Sequence, residues 1–150
     1  MKPSGTLEVI INAACCNAAR RGHKKVLPDH VAEAALQARS VQSVLKTDFG
    51  GELDQASLLR AIQVGIAPAS EKIPVEEVEL DASYERLMGL AEGKALSNDR
   101  DSISPRCVLA AIASMEKTTA ARTFYQFGLT EERLDQAITL STKKRQPALA

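Results

Sequence analysis

The sequence predicts an all-α fold: eight helices arranged as two pseudo-twofold four-helix repeats. Three observations lead there. The first is a duplication. Ala13 to Val31 aligns without a gap on Leu90 to Val108, which puts Pro28 on Pro105, Val31 on Val108 and Ala34 on Ala111. Further on, Phe49-Gly50 matches Phe127-Gly128, and Leu58 to Ile62 matches Leu134 to Ile138. A period near half the chain means one supersecondary unit used twice. The second is helical spacing of apolar residues in both halves. The third is composition: aromatics are 3% and Trp is absent, so Leu, Ile, Val and Ala must build the core, which favours closely packed helices. No alternation of strand type with hairpin turns appears.

The first helix is expected to start near Thr6 as N-cap, with Leu7, Ile10, Ile11, Ala14, Cys15 and Ala18 on one apolar face. Gly22, after Arg20-Arg21, reads as its stop. Pro28 opens the second helix, where its missing N–H costs nothing. Ser40 is expected to cap a third helix carrying Val41, Val44 and Leu45, ended by Gly50-Gly51. Asp54 caps a fourth, with Ala56, Leu59 and Ile62 inward. Two prolines and a run of glutamates then mark an extended linker. In the second half Asp81 caps a helix with Tyr84, Leu87, Met88, Ala91 and Ala95 inward. Ser104-Pro105 opens the next, Thr118 to Phe127 forms the seventh with Gly128 after its end, and Thr130 caps the last, from Glu131 to about Thr142. The expected boundaries are a first repeat at 1–64, a linker at 65–80, a second repeat at 81–142 and a disordered tail at 143–150, all in one module.

The chain has 19 basic and 19 acidic residues and a formal net charge of zero. A nucleic-acid binder shows a basic stripe instead, and the basic run at Lys143-Lys144-Arg145 reads as a solvated end. No apolar run reaches the roughly 20 residues that span a bilayer, and the first residues lack the apolar core of a secretory signal. Three cysteines, two of them adjacent, make no disulfide framework. These features point to a reduced, cytoplasmic protein.

Candidate chemistry is thin. Cys15-Cys16, His23 and Asp29-His30 lack the ligand spacing of a zinc site. Cys15 lies on the apolar face, where a free cysteine behaves as a small hydrophobe. His30 aligns with Cys107, so a packed helix histidine is the simpler reading. The stretch Gly89 to Ala95 is one residue short of a phosphate loop, lacks its Ser or Thr, and sits inside an amphipathic helix. Glu76-Glu77 and Glu131-Glu132 fall in a linker and a first helical turn, where acids suit the helix dipole. No catalytic residue, cofactor or metal is assigned. A small helical enzyme using Cys16 or His23, and a helix-turn-helix DNA binder, are the competing classes.

The motif order carries a resemblance. Arg20-Arg21-Gly22-His23, then Pro28-Asp29-His30-Val31, then Ala34-Ala35-Leu36 resembles the N-terminal repeat of Clp-type AAA+ unfoldases. That family typically writes R-x-x-G-H, a few residues, then T-x-E-H-L-L-x-A-L. Ile103-Ser104-Pro105 to Ile112 and Phe127-Gly128-Leu129 look like its second repeat, and the linker Pro68-Ala69-Ser70-Glu71 with Ser83-Tyr84-Glu85-Arg86 is most similar to the ClpA type. The resemblance covers Leu7 to Ile138. It implies a non-catalytic domain that recruits substrates or an adaptor protein to a hexameric ATPase ring, the isolated domain being a monomer. It carries adaptor binding onto Asp29, Asp81 and Arg86. It carries an apolar groove for unfolded segments onto Thr6, Met88 and Cys107. Family members that read phosphoarginine use an acid in both repeats, and here the second repeat has Arg106 instead. A secretion-linked Clp ATPase domain gripping a sheath-protein helix, and a stand-alone Clp-repeat regulator, are the alternatives within the binding class.

Overall fold

A computed structural model describes residues 1–66 and 71–145, with side chains as far as Lys143. The expected linker residues Pro68, Ala69 and Ser70 and the tail from Gln146 lie outside the described residues. Among those described there are eight α-helices: α1 (Gly5–Arg20), α2 (Pro28–Gln37), α3 (Arg39–Phe49), α4 (Gln55–Gly65), α5 (Ala82–Ser97), α6 (Pro105–Ser114), α7 (Thr119–Gln126) and α8 (Glu131–Arg145). The helix α8 continues to Arg145, into the segment expected as tail.

Most starts follow local capping chemistry. Asp54 accepts from Ser57 N at 3.1 Å, Asp81 from Ser83 N at 2.9 Å, Ser104 from Cys107 N at 3.4 Å and Thr118 from Ala121 N at 3.2 Å. Thr130 accepts from Arg133 N at 3.3 Å. Each satisfies an amide that the first helical turn leaves without a partner. Two expected caps are corrected. Ser4, not Thr6, caps α1, accepting from Leu7 N at 3.2 Å. The reason is tertiary: Ser4 N donates to Ile103 O at 2.8 Å, and that tie sets the extended residue from which the helix starts. Ser40 does not cap α3, because Ala38 is the extended residue and the helix begins at Arg39.

The structure also has a feature absent from the sequence reading. Strands β1 (Lys25–Val26) and β2 (Glu79–Leu80) pair in parallel, Val26 opposite Leu80. A single parallel bridge joins Pro3 and Ile103. The duplication aligns Val26 with Ile103 and Pro3 with Leu80, so the two pairings are one contact repeated by the pseudo-twofold. Each repeat's entry segment thus pairs with the other repeat's loop between its first two helices. The same symmetry places left-handed residues after α1 and α5, Gly22 at φ 75° and Asp99 at φ 55°, and after α3 and α7, Gly50 at φ 62° and Gly128 at φ 83°.

One core runs through both repeats. Leu7, Ile10, Ala14 and Ala18 of α1 meet Val31, Ala35 and Leu36 of α2, and Leu87, Ala91 and Ala95 of α5 meet Val108, Leu109 and Ile112 of α6. Packing within repeats is α1 on α2 and α5 on α6, α2 on α4 and α6 on α8; across repeats α4 packs on α7, and α2 on α6 and α7. Two faces sit differently from expectation. Ile11 and Cys15 are half-buried, at the core's edge, and α4 turns Leu58 and Ile62 inward while Ala56 is exposed and Leu59 half-buried. The pseudo-twofold is imperfect at its periphery. Where α4 packs on α7, the corresponding pair α3 and α8 borders a concavity of about 550 Å3, spanned by Arg106, which reaches Asp48 at 2.9 Å.

Candidate partner-binding surface

The start of α2 carries the first predicted site residue. Pro28 fixes the first helical residue, and the preceding amide of Leu27 donates to His30 Nδ1 at 2.9 Å. That turn aims the Asp29 side chain across the repeat boundary, where Oδ1 accepts from Ala120 N, in the first turn of α7, at 2.9 Å. Asp29 therefore caps a helix in the other repeat rather than its own. Burial pushes its carboxyl above the usual range, and the Ala120 bond offsets that only partly.

Asp81 caps α5 and has Lys25 Nζ 3.8 Å from its other oxygen. Hydrogen bonds from Ser83 hold its carboxyl below the usual range, with Lys25 adding to the effect. Beside it Leu80 is 50% exposed. One turn into α5, Arg86 is exposed and lines a 250 Å3 concavity with the α6–α7 connection, including Met115, Glu116 and Thr118. Because Thr118 caps α7 and Asp29 holds the amide of Ala120, Asp29 and Arg86 flank the same helix start. Lys25 ties Asp81 to the strand that leads into α2. The three predicted polar residues thus share one rim, around the starts of α2, α5 and α7.

The second predicted set differs in depth. Thr6 is exposed in the first turn of α1 and Met88 is half-buried. Cys107 is 0% exposed, with Ser104 Oγ 3.3 Å from its sulfur. Its side chain lies under the surface.

Sequence reading missed a buried polar cluster beneath the rim. Glu33 is 2% exposed and takes a two-pronged hydrogen bond from the Arg21 guanidinium, one arm at 2.5 Å. This bond is the leading cause that raises the Arg21 pKa. The signal was present: Glu33 is the single charge in the run Val31 to Leu36, and a buried charge requires a partner. His30 is fully buried, with its ring edge-on to His23 at 4.9 Å. Burial, with help from His23 and Arg21, lowers its pKa to about 4, against the opposing pull of Glu33. Its Nε2 is buried without a hydrogen-bond partner. Arg106, already noted as replacing an acid, is held by Asp48 and by Ser141 Oγ at 3.0 Å.

The arrangement has the parts for non-covalent binding. Among the described residues no group of three His, Cys, Asp or Glu side chains is placed to hold a metal ion. No helix among them is long and apolar enough to cross a membrane. Cys15 is half-buried, and desolvation raises its thiol pKa, with Cys16 adding to the rise, the opposite of an activated nucleophile.

The family model described as the Clp repeat (R) N-terminal domain matches residues 2–127. Three solved structures share the fold. One, described as preliminary structural investigations of a malarial protein secretion system, superposes with a TM-score of 0.85 at 18% identity, covering 96% of this chain and 97% of that one. The Hsp104 N-terminal domain of Candida albicans gives 0.75 at 14% identity, with 97% and 94% covered. The N-terminal domain of the chaperone ClpD of Arabidopsis thaliana gives 0.70 at 14%, with 95% of each chain covered. No curated protein matches the sequence.

Proposed function

The chain belongs to the Clp repeat N-terminal domain family, and from that premise we propose that it is a non-catalytic protein-binding domain that recruits an adaptor or substrate protein to a Clp-type AAA+ unfoldase. One observation carries the reading: the rim on which Asp81 and Arg86 stand beside the exposed Leu80 and the start of α7. The exposed Arg86 and the half-buried Asp81 stand near the apolar Leu80, the pattern of a modest polar interface. Asp29 supports this rim from beneath, since one of its oxygens is already committed to Ala120 N.

The test is retention of a partner by the immobilised chain from lysate, compared with two charge reversals, Arg86→Glu and Asp81→Lys. Each reversal is expected to weaken binding of the retained partner by about 1–3 kcal/mol, the range for a charge-assisted hydrogen bond. Circular dichroism serves as the folding control, because Asp81 also caps α5. Arg86→Glu is expected to leave the melting temperature nearly unchanged. Unchanged retention by both folded variants would remove this surface as the binding site.

A further inference from the structure

A second surface stands apart from that rim, on the first repeat. A groove of about 610 Å3 runs between α3 and α4. Its α3 wall carries Arg39, Gln42 and Lys46; its α4 wall carries Gln55 and Leu59, and Leu36 of α2 closes the floor. Arg39 and Lys46 are exposed. Seven residues apart on one helix, they share a face and stand roughly 10 Å apart along the axis. Among the described residues neither has an ion-pair partner, and no carboxylate lines the groove.

Between the two cations lies a fixed polar group. Gln55 Nε2 donates to the Gln42 carbonyl at 3.0 Å, which pins the amide. Its Oε1 is buried and accepts no hydrogen bond. The groove therefore presents two free positive charges at a two-turn spacing and half-buried apolar surface at Leu59.

We propose that this groove docks an acidic amphipathic helix from a partner protein. Two carboxylates two turns apart meet Arg39 and Lys46, and an apolar stripe covers Leu59. The spacing is that of a helix's own repeat, so a second helix laid along α3 places one acid on each cation. A nucleic acid fits less well: the groove offers two cations, no aromatic ring lines it for base stacking, and the whole chain is formally neutral. The proposal does not rest on the recruitment surface at Asp81 and Arg86.

The probe is a fluorescein-labelled, alanine-based peptide of about 15 residues, long enough for marginal helicity, with Glu at i and i+7 and Leu at i+3 and i+4. Its binding to the whole chain is read by fluorescence anisotropy. Controls are the same peptide with Lys for Glu, a scrambled peptide and a duplex DNA. The Glu peptide is expected to bind and the Lys and scrambled peptides to bind at least tenfold more weakly. The double variant Arg39→Glu with Lys46→Glu, both exposed and so expected to fold, should lose roughly tenfold for the Glu peptide and gain affinity for the Lys peptide, as loss of two charge pairs requires. Arg86→Glu should leave the peptide unaffected. Amide shift changes in NMR should fall on α3 and α4. Absence of Glu-peptide binding, indifference to the double reversal, loss on Arg86→Glu or equal affinity for the DNA would each overturn the proposal.

Discussion

Lowering the pH should destabilise this domain through His30. The structure supplies two reasons why the ring resists a proton. It is fully buried, and its Nδ1 already accepts the amide of Leu27 at 2.9 Å. A proton on Nδ1 would set two hydrogens against each other and leave the Leu27 amide without a partner at the start of α2. Nearby His23 and Arg21 oppose the added positive charge, while Glu33, engaged by Arg21, favours it. The folded pKa is about 4, against an unfolded value of about 6.5. The unfolded state therefore binds a proton that the native state refuses. The contribution is whole above pH 6.5, is lost as pH falls from 6.5 towards 4, and changes no further below that. At about 1.4 kcal/mol per unit of pKa the full loss is about 3 kcal/mol, a large share of a typical domain's stability. Urea unfolding followed by circular dichroism at pH 7, 6, 5 and 4 measures it, and NMR titration of the His30 ring proton measures the pKa directly. In His30→Gln, whose amide oxygen can still accept from Leu27, the stability lost between pH 7 and pH 4 should shrink by about 3 kcal/mol. A ring titrating at or above pH 6, or a variant with the wild-type pH profile, would refute the argument.

Three further outcomes follow from burial and backbone geometry. Leu109 is 1% exposed, so Leu109→Ala should cost about 2–5 kcal/mol in urea unfolding; Ile11→Ala, at the edge of the core, should cost clearly less, and equal losses would mean that α1 is rotated. Gly22→Ala should destabilise by about 1–2 kcal/mol because position 22 is left-handed, whereas Asp99→Gly, at the matching position, should raise the melting temperature; opposite signs would break the repeat equivalence. Arg21→Ala should cost about 3–5 kcal/mol by stranding the Glu33 carboxylate, and Glu33→Gln in that background should recover part of it; no recovery would mean that the pair is not the cause.

Much of the secondary structure was legible because its causes are local. Asp54, Asp81, Ser104, Thr118 and Thr130 cap helices through amides two or three residues away, a range that reading along the chain covers. Gly128 was readable for the same reason: the residue after a helix often needs positive φ, and glycine adopts it freely. The two misplaced caps, Thr6 and Ser40, fail where a different residue holds the extended conformation that precedes the helix. At Ser4 that conformation is tied to Ile103, far away in sequence. The burial of Cys107 was equally invisible to motif matching, because a family pattern gives position and not depth.

The sequence by itself determined the duplication, the helical class and most helix starts. Repeat alignment, apolar periodicity and capping side chains act over a few residues and leave their trace in order. Only the tertiary structure decided how the two copies interlock. The bridge from Pro3 to Ile103, the pairing of β1 with β2, and the Asp29 carboxylate on an amide 91 residues away all join positions that no local pattern connects. The Arg106–Asp48 pair spans 58 residues and replaces a motif acid with a clamp between repeats. Such contacts form because burying the shared core brings α2, α6 and α7 together, and polar groups caught there must find partners from whichever chain segment arrives.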